Sequence, residues 1–119
     1  MTTLYGIRNC DTVRKARRWL EEHDIVYRFH DVREDGISKN LLNSWIKALG
    51  WEQLLNRRST TWRQLPAALR EDIDRASATS LMLSQPAIIK RPVLEHGKQL
   101  YLGFSDTRFA DIFQPEARP

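Results

Sequence analysis

The chain has 119 residues, 41% of them hydrophobic, and a formal net charge of +4. This length and apolar share are typical of one globular domain with its own core, and they exclude an intrinsically disordered chain. No stretch approaches the ~18 consecutive apolar residues of a membrane-spanning helix, and the first ten residues lack the charged start and apolar run of a secretory signal, so we expect a cytoplasmic protein with no membrane partner.

The N-terminal part of the sequence predicts a β-α-β unit. Residues 3–6 and 25–29 have the character of short strands. Between them, Val13, Ala16 and Leu20 have the spacing of one face of a helix. This order implies a parallel pair of strands joined by a right-handed crossover.

A block of helices is predicted next, over about residues 38–85. Ser38 is expected to cap its first helix, and Gly50 is expected to end that helix. Two or three shorter helices are expected between Trp51 and Gln85, where apolar residues recur at helical spacing.

The C-terminal part predicts a hairpin and a closing helix. Residues 93–95 and 99–102 flank a His96-Gly97 turn, which is typical of two antiparallel strands. Ser105 is expected to cap the closing helix, which turns its Phe109 face inward.

The order β-α-β, helical block, β-β-α predicts an α/β thioredoxin-like fold with a mixed sheet and a helical insertion. Since the sequence contains no repeat, linker or low-complexity stretch, we expect a single domain over residues 1–114. Residues 115–119 are expected to form a frayed tail.

Cys10 is the only cysteine, so it is either a small buried apolar residue or a reactive thiol. It lies where the first strand gives way to the first helix, with Asp11 or Thr12 available as the cap residue. The unpaired N–H groups and partial positive charge of a helix start favour a thiolate, and the loop after a parallel strand is a common place for chemistry in α/β folds. We therefore favour the reactive thiol.

Other chemistries have weaker support in the sequence. The three histidines stand far apart without metal-ligand spacing, and there is no glycine-rich nucleotide loop, so no metal and no tightly bound cofactor are expected. Short basic groups such as Arg57-Arg58 are interpreted as solvated faces, and direct nucleic-acid binding is not expected.

Four stretches carry a family resemblance. They read YGIRNCDT at residues 5–12, LLNRRSTTWR at 54–63, QPAIIKRPV at 85–93 and LGFSD at 102–106. In this order, and over nearly the full length, they resemble the arsenate reductase and Spx family, and most of all its YffB-like branch.

The resemblance implies a thioredoxin fold, a nucleophilic cysteine at Cys10 and an arginine, Arg91, before a cis-proline, Pro92. The planar guanidinium of Arg91 is suited to holding an oxyanion or carboxylate and to stabilising the Cys10 thiolate, although a surface arginine is the alternative. The predicted substrate- or glutathione-binding residues are Arg91, Arg58, Asn9 and Pro92, with Cys10 as the catalytic residue.

Two departures from the family separate the candidate functions. Arsenate reductases of the family use three arginines around the cysteine, whereas this chain has Asn56 near the first position and Leu102 or Gly103 near the third. Spx regulators carry a Cys-x-x-Cys switch, whereas here Val13 stands at the second position. A mixed disulfide at Cys10 must therefore be resolved by an external thiol, for which glutathione is the natural co-substrate.

The resulting hypothesis is a monomeric enzyme, a glutathione-dependent thiol reductase that acts on small-molecule or protein disulfides. The alternative is an Spx-like module that binds RNA polymerase and lacks the Cys-x-x-Cys switch. Arsenate reduction is the third candidate.

Overall fold

The computed structural model describes residues 1–117, and the side chains of residues 1–113. Four strands and seven helices are assigned within that range. The strands are β1 (Thr2–Gly6), β2 (Arg28–Asp31), β3 (Val93–His96) and β4 (Gln99–Leu102). The helices are α1 (Asp11–Glu22), α2 (Lys39–Leu49), α3 (Trp51–Leu54), α4 (Thr60–Gln64), α5 (Ala67–Arg70), α6 (Arg75–Ser84) and α7 (Asp106–Ala117), with a 3-10 helix at Pro86–Ile88.

The four strands form one mixed sheet in the order β2-β1-β3-β4. β1 and β2 are parallel, with Tyr5 opposite His30, whereas β1 with β3 and β3 with β4 are antiparallel. Helices α2 to α6 all fall between β2 and β3, inside the predicted insertion. The α/β thioredoxin-like fold with a mixed sheet is thereby confirmed.

The two faces of the sheet bury two separate clusters, because neighbouring strand residues point to opposite sides. Leu4 and Leu94 pack on one face beneath α1 and α7, while Tyr5 and Val93 face the helical block. The first cluster also contains Val13, Ala16, Trp19, Leu20, Phe109 and Phe113. The second includes Trp45, Leu54, Trp62, Met82 and Ile88.

The second strand was predicted three residues too early. β2 begins at Arg28 because the turn that ends α1 occupies the preceding residues. Asp24 has a positive φ of 56°, and the amides of Asp24 and Ile25 donate to the carbonyls of Glu21 and Leu20, which is the Schellman arrangement. Ile25 therefore packs with the α1 cluster.

Two further predictions need correction. Four helices, not two or three, lie between residues 51 and 85, because Pro66 separates α4 from α5 and a capping box between Asp74 and Ser77 starts α6. The closing helix continues to Ala117, three residues into the segment predicted as a tail. Proline's φ of about −65° is compatible with a helical backbone. Residues 118–119 lie outside the described residues.

The two predicted serine caps are confirmed. The Ser38 hydroxyl accepts a hydrogen bond from the Leu41 amide at the start of α2. The Ser105 hydroxyl accepts one from the Arg108 amide at 3.1 Å, in the first turn of α7. No helix in the described part of the chain is both long and apolar enough to cross a membrane.

Candidate functional site

Cys10 is itself the N-cap residue of α1. Its backbone is extended, with φ −113° and ψ 124°, and its carbonyl accepts from the Arg14 amide at 2.9 Å. Asp11, one of the two predicted cap residues, is instead the first helical residue, and Thr12 follows it inside the helix. The prediction was one or two residues off because the carbonyl of Cys10 already accepts the first intrahelical bond, as an N-cap residue does.

A close contact between β1 and α1 fixes the position of this helix start. Gly6 ends β1, and a Cβ atom added there would lie 2.7 Å from one Val13 methyl carbon and 2.9 Å from the other. Val13 is fully buried in the first turn of α1. Only glycine therefore lets the helix approach the strand this closely, and Cys10 lies in the connection between them.

The surroundings of Cys10 favour the thiolate. Burial raises the pKa of the half-buried thiol, but the backbone amide of Val13, the hydrogen bond and charge of Arg91, and the amide of Thr12 together lower it by more. The pKa of Cys10 is consequently below its ordinary value.

Arg91 is anchored at one nitrogen and lacks a partner at another. Its Nη1 donates to the Ala87 carbonyl at 2.7 Å, whereas its Nε is buried and has no hydrogen-bond partner among the described residues. The Arg91-Pro92 peptide bond is cis, as the family resemblance implied. The Pro92 carbonyl accepts from the Gly103 amide at 2.8 Å, which ties this segment to the end of β4.

The loop before Cys10 is held by a buried carboxylate that the sequence analysis missed. Asp31, at the end of β2, accepts from the backbone amides of Arg8 at 3.0 Å, Arg33 at 2.8 Å and Glu34 at 3.0 Å. Burial raises the pKa of Asp31, but these amides and the charge of Arg8 lower it by more. The sequence offered no distinguishing signal for Asp31, because an aspartate near the end of a strand is a common pattern.

Asn9 and Arg58, the other predicted binding residues, are both exposed. Asn9 is exposed in the turn immediately before Cys10. Arg58 is exposed in the loop before α4, where its amide donates to the Asn56 side chain at 3.0 Å. It lines a cavity of about 470 Å³ with Lys90, and that cavity does not include Arg91.

A different set of residues surrounds Arg91. A neighbouring cavity of about 590 Å³ is lined by Arg91, Lys90, Asn56 and Arg108, together with parts of α2, α3 and β4. The sequence analysis missed Lys90 and Arg108. Lys90 could have been found from its place beside Arg91, but the approach of Arg108 depends on how α7 packs against the end of the sheet. The described residues contain no group of three or more His, Cys, Asp or Glu side chains that is able to hold a metal ion.

Two relatives of known sequence are similar to this chain over most of their length. An uncharacterized protein of Haemophilus influenzae is 43% identical over 114 residues, which cover 95% of this chain and 99% of that protein. The global transcriptional regulator Spx of Listeria innocua is 29% identical over 108 residues, which cover 89% of this chain and 82% of the regulator.

Two solved structures share both fold and sequence with this chain. A YffB protein superposes with a TM-score of 0.89 at 47% identity, covering 93% of this chain and 97% of that one. An arsenate reductase related protein from Brucella melitensis superposes with a TM-score of 0.77 at 49% identity, covering 95% and 94%. The ArsC family matches residues 5–112. With this match over nearly all of its length, the chain belongs to the ArsC family.

Proposed function

We propose that this protein is a glutathione-dependent thiol reductase that works as a monomer in the cytoplasm. The proposal rests on the environment of Cys10, whose pKa the amides of Val13 and Thr12 and the side chain of Arg91 lower against the effect of burial. A thiolate is the form of cysteine that attacks disulfides, and a partly exposed sulfur at a helix start is typical of such cysteines. A reducing compartment supplies the glutathione that the reaction consumes.

The reaction proceeds through two exchanges at one sulfur. In the first, the Cys10 thiolate attacks the glutathione sulfur of a mixed disulfide between glutathione and a substrate thiol. The new bond joins Cys10 to glutathione, and the substrate leaves as a thiolate that takes a proton from solvent. In the second, another glutathione thiolate attacks the bound glutathione sulfur, which releases Cys10 as a thiolate and forms oxidised glutathione.

Arg91 has two parts in this scheme. Its charge stabilises the Cys10 thiolate, which is the nucleophile of the first exchange and the leaving group of the second. Its guanidinium also lines a cavity, where it can meet an anionic group of the substrate or of glutathione. No second cysteine exists in the chain, so an external thiol must complete the cycle, and in this scheme that thiol is glutathione.

Turnover of a defined mixed disulfide tests the proposal. The disulfide of glutathione with 2-mercaptoethanol is reduced by wild-type protein and glutathione, with oxidised glutathione measured by a coupled reductase. We expect turnover with wild type and none with Cys10→Ser, whose circular dichroism and unfolding midpoint stay close to those of wild type. Retained activity in Cys10→Ser would sink the proposal. Substituting arsenate for the disulfide in the same assay tests arsenate reduction.

The similarity to Spx supports a second candidate, a module that binds RNA polymerase. Val13 stands at the position of the second switch cysteine, so such a module would work without a Cys-x-x-Cys switch. Binding of purified RNA polymerase to immobilised wild-type protein and to Cys10→Ser distinguishes the two functions. Equal capture by both variants, without disulfide turnover, would favour the binding module; no capture would count against it.

A further inference from the structure

The cavity beside Arg91 has an unbalanced charge. Its lining contains three cationic side chains, Lys90, Arg91 and Arg108, and two side-chain amides, Gln53 and Asn56, but no carboxylate. Within the described part of the chain, none of the three cations takes part in an ion pair, and the two ion-paired arginines lie elsewhere. Like charges that converge without a counter-charge repel one another, and an anion bound among them relieves this repulsion.

Arg108 is held in place at the rim of this cavity. Its Nη1 donates to the Leu102 carbonyl at 3.1 Å, and its guanidinium lies 6.0 Å from the centre of the Tyr101 ring. Its backbone is fixed by the Ser105 cap in the first turn of α7. One carbonyl contact uses only part of the five N–H donors of a guanidinium, so most of its donor capacity remains for a ligand.

The size and lining of the cavity favour an organic ligand over a small inorganic anion. About 590 Å³ is within the range of sites for small molecules, and Leu49 and Leu102 supply an apolar wall. The side-chain amides of Gln53 and Asn56 are suited to peptide groups, since each both donates and accepts hydrogen bonds. A short peptide with a free carboxylate matches this combination of volume, amides and cationic charge.

We infer that this cavity binds the glycine carboxylate of glutathione, with Arg108 as its main ligand and Lys90 as a second cation. The inference rests on the proposed function and deepens it, because it identifies the group by which the thiol co-substrate is recognised. The other carboxylate of glutathione stands beside an ammonium group, which three cations would repel, whereas the glycine carboxylate has no such neighbour. Arg91, which lines the cavity and also acts on Cys10, connects this subsite to the reacting sulfur.

A binding experiment without any reaction tests the subsite. S-methylglutathione has no free thiol and no disulfide, and in its glycine ethyl ester a neutral ester replaces the charged carboxylate. Both compounds are titrated calorimetrically into the full-length wild-type protein and its variants. We expect wild type to bind the acid about tenfold more tightly than the ester, as loss of one charge-assisted contact implies. Arg108→Ala is expected to lose this preference and Arg108→Lys to keep part of it.

Arg75→Ala is the matched control, because Arg75 is an exposed arginine at the start of α6 that lines a different cavity and changes the net charge equally. It should retain the preference of wild type for the acid. If wild type binds acid and ester within twofold, or if Arg108→Ala discriminates as well as wild type does, the subsite is disproved.

Turnover of the mixed disulfide by wild type, measured separately, decides the proposed function. Turnover without discrimination between acid and ester would overturn the subsite alone. Discrimination that depends on Arg108, without turnover, would overturn the reductase function and leave a carboxylate-binding cavity.

Discussion

Arg91, in the segment that enters β3, hydrogen-bonds to the sulfur of Cys10, and among the described residues it is the one side chain that lowers the pKa of this thiol. Burial raises the pKa, and the Val13 amide, Arg91 and the Thr12 amide reverse that effect. The amides of a helix start would act on any cysteine at the N-cap position. The guanidinium of Arg91, in contrast, is brought to Cys10 by the tertiary fold. The pair therefore brings the N-terminal and C-terminal parts of the fold together at one sulfur atom.

Removal of the guanidinium should make Cys10 less reactive. In Arg91→Ala we expect the pKa of Cys10 to rise, since a cation that stabilises the thiolate is lost, and alkylation by iodoacetamide at pH 7 to slow several-fold. Arg91→Lys should restore the rate only in part, because the ammonium keeps the charge but not the planar fork. Arg58→Ala serves as control, since Arg58 lines another cavity. An unchanged pKa in Arg91→Ala would contradict the pairing.

Asp31→Asn should destabilise the protein at neutral pH. The carboxylate is almost fully buried and accepts three backbone hydrogen bonds, of which the amide analogue can accept fewer, so we expect a loss of about 1–3 kcal/mol in the free energy of unfolding at pH 7. Urea unfolding of wild type and Asp31→Asn measures this loss. Glu34→Gln, an exposed partner of the same Arg8, is the control and should change stability little.

The pH dependence of the same pair of proteins checks the sign of this effect. The pKa of Asp31 is depressed in the folded state. Its contribution to the free energy of unfolding is therefore complete above the pKa of an unfolded aspartate, about 3.9, and is lost as the pH falls through the lower folded value. The difference in stability between wild type and Asp31→Asn should therefore be constant between pH 6 and 7, about two units or more above that pKa, and should shrink below about pH 4. A difference that grows on acidification would contradict this assignment.

Gly6→Ala should overpack the contact between β1 and α1. The new methyl group would lie within 3 Å of both Val13 methyl carbons, and we expect a cost of about 1–3 kcal/mol in the free energy of unfolding. Adding Val13→Ala to Gly6→Ala should remove the clash, so that the double variant is more stable than the sum of the two single changes implies. Strict additivity in urea unfolding would show that the two residues do not compete for the same space.

Asp24→Gly should stabilise the protein. Asp24 occupies the left-handed position of the turn that ends α1, with φ 56°, where glycine avoids the steric penalty of a Cβ atom. We expect a gain of up to about 1 kcal/mol and no change in thiol reactivity, because Asp24 lies at the opposite end of α1 from Cys10. Glu22→Gly, inside the last turn of the same helix, is the control and should destabilise.

Local signals in the sequence predicted much of this fold. The hydroxyl caps at Ser38 and Ser105 and the hairpin turn at Gly97 depend on a few neighbouring residues, and all three were predicted correctly. The predicted start of β2 was wrong because Ile25, although it has the character of a strand residue, completes the hydrogen bonding at the end of α1. A six-residue hydrogen-bond pattern at a helix end competes with strand propensity, and here it prevailed.

The site was predictable only in part, for a physical reason. Cys10 and Arg91 lie in stretches of sequence that resemble a known family, so both were identified before the fold was known. Arg108 and Asp31 act through contacts between distant parts of the chain: Arg108 with the end of β4, and Asp31 with the loop before Cys10. Neither residue has a local pattern that distinguishes it from other exposed arginines or strand-end aspartates.

The measurement that tests the account most directly is the pKa of Cys10 in the wild-type protein. The rate of alkylation by iodoacetamide is followed against pH, with and without S-methylglutathione. We expect an inflection below the ~8.5 of an unperturbed cysteine, with protection by the glutathione analogue. An inflection at or above that value, with no protection, would contradict the claim that Cys10 is a nucleophile poised beside a glutathione site.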